Sequence, residues 1–258
     1  MYKKENLLFV ILGGFFITNA LLAEFIGVKL FSVEATLGMK PANMTFFGQE
    51  GLSFNMTAGV LLWPVVFIMT DIINEYYGTR GVRILSYMAA GLILYGFVMA
   101  WFAIQVAPAQ FWIDVVAAQY PERLPDINLA FGKIFGQGMW IIGGSLVAFL
   151  IGQLVDVKTF HWLRRLTGSK KLWLRATGST LVSQLIDSFV VLFIAFYIGP
   201  DQWPLGMVLA VAVVNYLYKF IAAIAITPLL YVVHWGIDAY LGKEISQQMI
   251  EAAAETSA

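Results

Sequence analysis

Asp71, Asn74 and Glu75 follow one another at i, i+3 and i+4 inside an apolar stretch, so a helix through them carries two carboxylates and an amide on one face. Such an acceptor-rich patch can hold a proton, a cation, or the amine and ring N–H groups of a nucleobase-like ligand. It can equally pair with Arg80 and Arg83 just beyond it. A second polar stripe runs through Ser179, Ser183 and Asp187 at four-residue spacing, with Thr180 and Gln184 beside it, and turns wholly apolar after Ser188. That pattern describes an aqueous cavity open at the cytoplasmic end. Hydrogen-bond glue between helices accounts for the serines and poorly for Asp187. Asn215 and Lys219 share a face farther on, flanked by Tyr216 and Tyr218. Asn19 stands at the midpoint of the first apolar run, with Glu24 and Lys29 toward its outer end, where a lysine can snorkel to the interface. Trp63 and Pro64 fall mid-stretch, where a proline frees a carbonyl and bends a helix. The indole then either offers a platform for a flat ligand or packs against lipid and neighbours.

These side chains matter because of the elements that must hold them. Of 258 residues, 60% are hydrophobic and 12% charged, with a mean hydropathy of +0.77. Water is not the main solvent of such a chain. Six stretches, 7–31, 54–76, 81–104, 134–157, 176–198 and 205–235, are long enough to cross a hydrocarbon core of roughly 30 Å at about 1.5 Å per residue. The expected fold is an all-α integral membrane protein forming one domain over 1–258. An ionisable group at bilayer depth costs roughly 2.5–3.5 kcal/mol on insertion scales, so each one demands a partner, water or a function.

Lysine and arginine in the loops orient the chain. Eleven (Lys3, Lys4, Arg80, Arg83, Lys158, Arg164, Arg165, Lys170, Lys171, Arg175 and Lys243) fall on one side, and three (Lys40, Arg123 and Lys133) on the other. Both termini are therefore expected in the cytoplasm of a bacterial-type inner membrane, which requires an even number of crossings. Counted from the membrane edges, Asp187 and Lys219 then lie at similar depth on consecutive helices, so a buried ion pair between them is expected. Gln153 and Asp156 approach the basic loop, where a local ion pair is expected. Gly144-Ser145 followed by Gln153-Leu154-Val155-Asp156 echoes Gly178-Ser179 followed by Gln184-Leu185-Ile186-Asp187, which raises a 3+3 repeat. The outer segments 32–53 and 107–133 read as connectors or as lids, and the polar tail after Lys243 as a frayed helix.

The sequence has no cysteine and two histidines, so thiolate chemistry is excluded and no metal or cofactor site is expected. Glycine-rich phosphate loops and catalytic triad orders are missing, which argues for transport over catalysis. The zero net charge advertises no nucleic-acid partner. The expected partners are a small molecule and the lipid bilayer, with homo-oligomerisation left open.

Four strings carry a family resemblance: Thr70-Asp71-Ile72-Ile73-Asn74-Glu75-Tyr76-Tyr77-Gly78, Gly152-Gln153-Leu154-Val155-Asp156-Val157, Gly178-Ser179-Thr180-Leu181 running to Asp187, and Asn215-Tyr216-Leu217-Tyr218-Lys219. Together, over residues 6–242, they resemble the queuosine precursor transporter family, also called the VUT family. The resemblance implies a six-helix inner-membrane importer of deazaguanine precursors of the tRNA base queuosine, chiefly preQ0 and secondarily preQ1. A flat guanine-like base needs aromatic stacking and acceptors for its N–H groups. Asn19, Trp63, Asp71, Asn74, Glu75, Gln184, Asp187, Asn215 and Tyr216 are side chains of those types, and Lys219, a donor, completes the expected substrate-binding set. The alternative is the substrate-capture subunit of an energy-coupling-factor transporter for a vitamin or base.

Overall fold

In a computed structural model of the chain, residues 3–121, 126–136, 139–167 and 172–255 are described. Arg123, Lys170 and Lys171, which entered the charge count, lie outside these, as does the side chain of Arg175. The main elements are α1 (Lys4–Ile26), a short β-rich outer unit, α3 (Trp63–Gln105), two short helices α4 (Gln110–Gln119) and α5 (Ile127–Phe135), then α6 (Met139–Thr167), α7 (Leu172–Leu192), α8 (Leu205–Leu241) and α9 (Lys243–Glu255). Among the described residues, five helices are long and apolar enough to cross a membrane.

The longest of these, α3, is interrupted at Gly78, whose φ of 64° and ψ of −170° are open only to glycine. Contacts with α1 show what the break does. Gly59, just ahead of α3, abuts the Ala23 carbonyl, Tyr77 Oη donates to the Glu5 carbonyl at 2.6 Å, and Phe97 stacks on Phe25 at 5.2 Å. Residues 63–77 thus run against α1, and residues 79–105 return alongside it. The apolar core lies where these strands of helix meet α6, around Phe16, Val66, Ile72, Ile93, Phe149 and Phe160. Residues 79–105 leave Tyr87, Tyr95 and Trp101 exposed.

Sequence periodicity places several boundaries differently. The first span stops at Ile26 and the second begins at Trp63, because Leu30–Ser32 (β1) and Asn55–Thr57 (β4) pair antiparallel. A second pair joins Met44–Phe46 (β2) to Gln49–Leu52 (β3). Its two-residue turn has positive φ at both Phe47 and Gly48, the twist that a tight hairpin needs. The molecule is therefore mostly rather than wholly helical. Glu34, in the one-turn helix α2 (Val33–Thr36), ties this outer unit together by accepting from the Phe54 amide at 2.9 Å, the Ala42 amide at 3.4 Å and Ser32 Oγ at 3.2 Å. The unit packs on Val60 and, from α8, Val214 and Tyr218.

Pro64, expected as a mid-helix kink, sits in the first turn of α3, where its missing N–H has no intrahelical partner to lose. The fourth span starts later than residue 134 and continues beyond Val157 to Thr167, since nothing between Lys158 and Arg165 breaks a helix and their charges sit at its C-terminal end. The tail after Lys243, expected to fray, is a docked helix. Ser246 Oγ donates to Asp238, and Arg164 donates to the Ile250 carbonyl at 2.8 Å.

Candidate functional site

Three helices contribute one face each to a narrow recess. From α3 come Trp63, Phe67 and Thr70, at i, i+4 and i+7. The α6 face brings Phe149, Gly152, Gln153 and Asp156, and α7 brings Ser183, Gln184 and Asp187. Helices α6 and α7 are antiparallel neighbours, since Gly144 faces Val191, Gly152 faces Asp187, and Gly178 faces Leu163. Small residues at these crossings let the backbones approach closely.

The apolar wall is aromatic. Trp63 lies 6.0 Å from Phe67 with rings 22° apart, and 5.8 Å from Phe149 at 44°. Against it stand amides and carboxylates. Gln153 and Thr70 meet at 3.4 Å, a long hydrogen bond. Ser183 Oγ donates to Asp156 at 3.2 Å, and Asp187 forms an ion pair with Lys219 of α8, as depth counting anticipated. Both partners of this pair are largely buried, Lys219 at 12% and Asp187 at 19% side-chain exposure. Above them Ser145 Oγ donates to Glu24 of α1 at 2.6 Å, and Glu24 lies within electrostatic reach of Asp187.

The recess therefore gathers Trp63, Gln184 and Asp187, with Lys219 joined through its ion pair. Asp71, 5% exposed, lines a neighbouring narrow recess across Phe67, among Thr177, Thr180 and Thr227. Asn74 and Glu75 reach neither recess. Asn74 Oδ1 accepts from the His161 ring at 2.8 Å, and Glu75 pairs with Arg164 at 3.7 Å, a partner on α6 and not the nearby Arg80 or Arg83. With Tyr76 donating to Asp238 at 3.0 Å, they form a buried polar layer over which α9 lies. Asn19 donates back to the Phe15 carbonyl at 2.8 Å, Asn215 to the Val211 carbonyl at 3.2 Å, and Tyr216 packs edge-on to Phe220. None of these three lines either recess.

Phe67, Thr70, Phe149, Gln153 and Asp156 were not singled out as binding residues by type and spacing. A signal for the last two was present: the Gln-Leu-Val-Asp string echoes Gln184-Leu185-Ile186-Asp187, and both copies line the same recess. No basic side chain among the described residues pairs with Asp156, contrary to the expected local ion pair.

A family model described as "Putative vitamin uptake transporter" matches residues 57–233. The chain is 31% identical over 183 residues to the "Probable queuosine precursor transporter" of Bacillus subtilis (strain 168), covering 70% of this chain and 73% of that one. It is 27% identical over 173 residues to the "Queuosine precursor transporter" of Escherichia coli (strain K12), covering 67% and 70%. No solved structure matches significantly.

Proposed function

The chain belongs to the vitamin uptake transporter family, and from that premise we propose that it imports a queuosine precursor, a deazaguanine base such as preQ0 or preQ1, across the bacterial inner membrane for tRNA modification. The family is one of multi-pass membrane transporters and not of enzymes. In our reading the chain is one membrane domain with six crossings, because α3 crosses twice about Gly78, and both termini lie in the cytoplasm.

The observation that carries the substrate class is the recess between α3, α6 and α7, where an aromatic wall faces amides and carboxylates at membrane depth. A flat, largely neutral base gains stacking from Trp63 and hydrogen bonds from Gln184, while the Asp187–Lys219 pair holds the polar side of the recess in register. Asp71 stands in the adjoining recess on the same path toward the cytoplasm. Asn74 and Glu75 hold the cytoplasmic end closed.

Purified full-length protein in liposomes, given labelled preQ0, tests this. Uptake by the protein alone is the expected result. Folded protein that neither binds nor moves preQ0 overturns the reading, and tight binding without movement replaces it with a capture subunit working beside a separate ATPase.

A further inference from the structure

The two Gln-Leu-X-Asp strings reach one recess from antiparallel helices, yet their aspartates are treated differently. Asp187 has the Lys219 ammonium. Asp156, 5% exposed, has the hydroxyls of Ser183 and Ser179 and no cation among the described residues. A hydroxyl satisfies one lone pair of a carboxylate that offers about four. Beside it, Gln184 is 6% exposed and its Oε1 accepts no hydrogen bond among the described residues. The recess thus holds acceptors in excess of donors, pressed between the faces of Trp63, Phe67 and Phe149.

Buried acceptors of this kind call for a ligand that brings N–H groups. Two donors side by side in the plane of a flat ring match the two oxygens of one carboxylate, and charge-assisted pairs of this geometry are the strong ones. A guanine-type edge supplies such donors, a ring N–H next to an exocyclic amine, and a hypoxanthine-type edge lacks the second. We propose that Asp156 is the specificity-determining residue of the recess, accepting the ring N–H and exocyclic amine of the substrate, while Gln184 Oε1 accepts a further N–H. The assignment rests on the deazaguanine reading above, and it leaves Asp187 to Lys219.

Binding of 7-deazaguanine and of 7-deazahypoxanthine to the purified full-length protein decides it, together with preQ0 as a reference ligand. Wild type is expected to prefer the amine-bearing ring by at least about tenfold, since a site built to hydrogen-bond a group rejects the analogue lacking it. In Asp156→Asn the preference falls toward unity. A merely structural Asp156 would weaken both ligands alike and leave the ratio where it was, and that outcome overturns the proposal. Should Asp156→Asn not fold, the ratio in Ser183→Ala, which removes a hydroxyl bonded to Asp156, decides instead. A ratio equal to that of wild type there counts against the assignment. Failure of wild type to bind any of the three ligands removes the deazaguanine reading itself, whereas binding with an unmoved ratio removes Asp156 alone.

Discussion

Lys219 of α8 is ion-paired with Asp187 of α7 inside the bundle, and the pair borders the recess that the aromatic wall of α3 and α6 completes. Removing one partner of a buried pair strands the other charge, at a cost of about 3–5 kcal/mol. Lys219→Met is therefore expected to lower the thermal midpoint in detergent and to abolish uptake. Adding Asp187→Asn restores most of the stability. A Lys219→Met protein as stable and active as wild type would contradict the role given to this pair.

Gly78 reverses α3 in a backbone region that other residues enter only under strain of roughly 1–3 kcal/mol. Gly78→Ala should lose stability on that scale. Gly91, on the same helix with open space around it, makes the control, since alanine there meets nothing. Comparison of the two unfolding midpoints checks the hairpin.

Glu34 anchors the outer unit. Burial pushes its carboxyl up, but the amides of Phe54 and Ala42 and the Ser32 hydroxyl outweigh this and hold it below its ordinary value of 4.5. A carboxylate whose folded value is depressed adds stability that is fully present above the unfolded value and is lost as pH falls through the folded one. Protection of the Phe54 and Ala42 amides against hydrogen exchange should thus be lost only once the pH falls below the ordinary carboxylate value of 4.5 in wild type, and be weak at all pH values in Glu34→Gln. Exchange that ignores pH in this window would remove Glu34 as the anchor.

Arg164 reaches both Glu75 and the Ile250 carbonyl, so it couples the buried polar layer to α9. A hydrogen bond from a charged group contributes about 1.5–3 kcal/mol. Arg164→Ala should release α9, seen as protease cleavage within 243–255, while Lys158→Ala leaves the helix docked. Equal protection in the two variants would show that α9 is held by other contacts.

Charge and hydropathy along the chain make much of this arrangement legible. Asp187 and Lys219 were matched by depth alone, because two costly charges on consecutive helices have few ways to be satisfied. The return at Gly78 was visible as the gap between the 54–76 and 81–104 stretches. The β pairs of the outer unit were not legible, since strands of three or four residues such as Leu30–Ser32 are too short to show alternation. The partners of Asn74 and Glu75 were hidden for a different reason. His161 and Arg164 lie 87 and 89 positions along the chain, and only the packing of α6 on α3 brings them near. Local spacing had offered Arg80 and Arg83 instead, and adjacency in sequence outweighed adjacency in space.

The outer end of α7 passes into a π-helical turn, Phe193–Ile198, and Phe196 there stacks on Trp203 at 4.3 Å. A turn of this kind carries one residue more than an α-helical turn. If that residue were given up to the following loop, everything beyond it would swing by about 100° around the helix axis and advance about 1.5 Å. The Phe196–Trp203 clasp would then unseat while Asp187 and Gln184, about two turns or more below, kept their places. A widened turn at this place would let the far end of α7 pivot while the recess-lining face of the helix keeps its register.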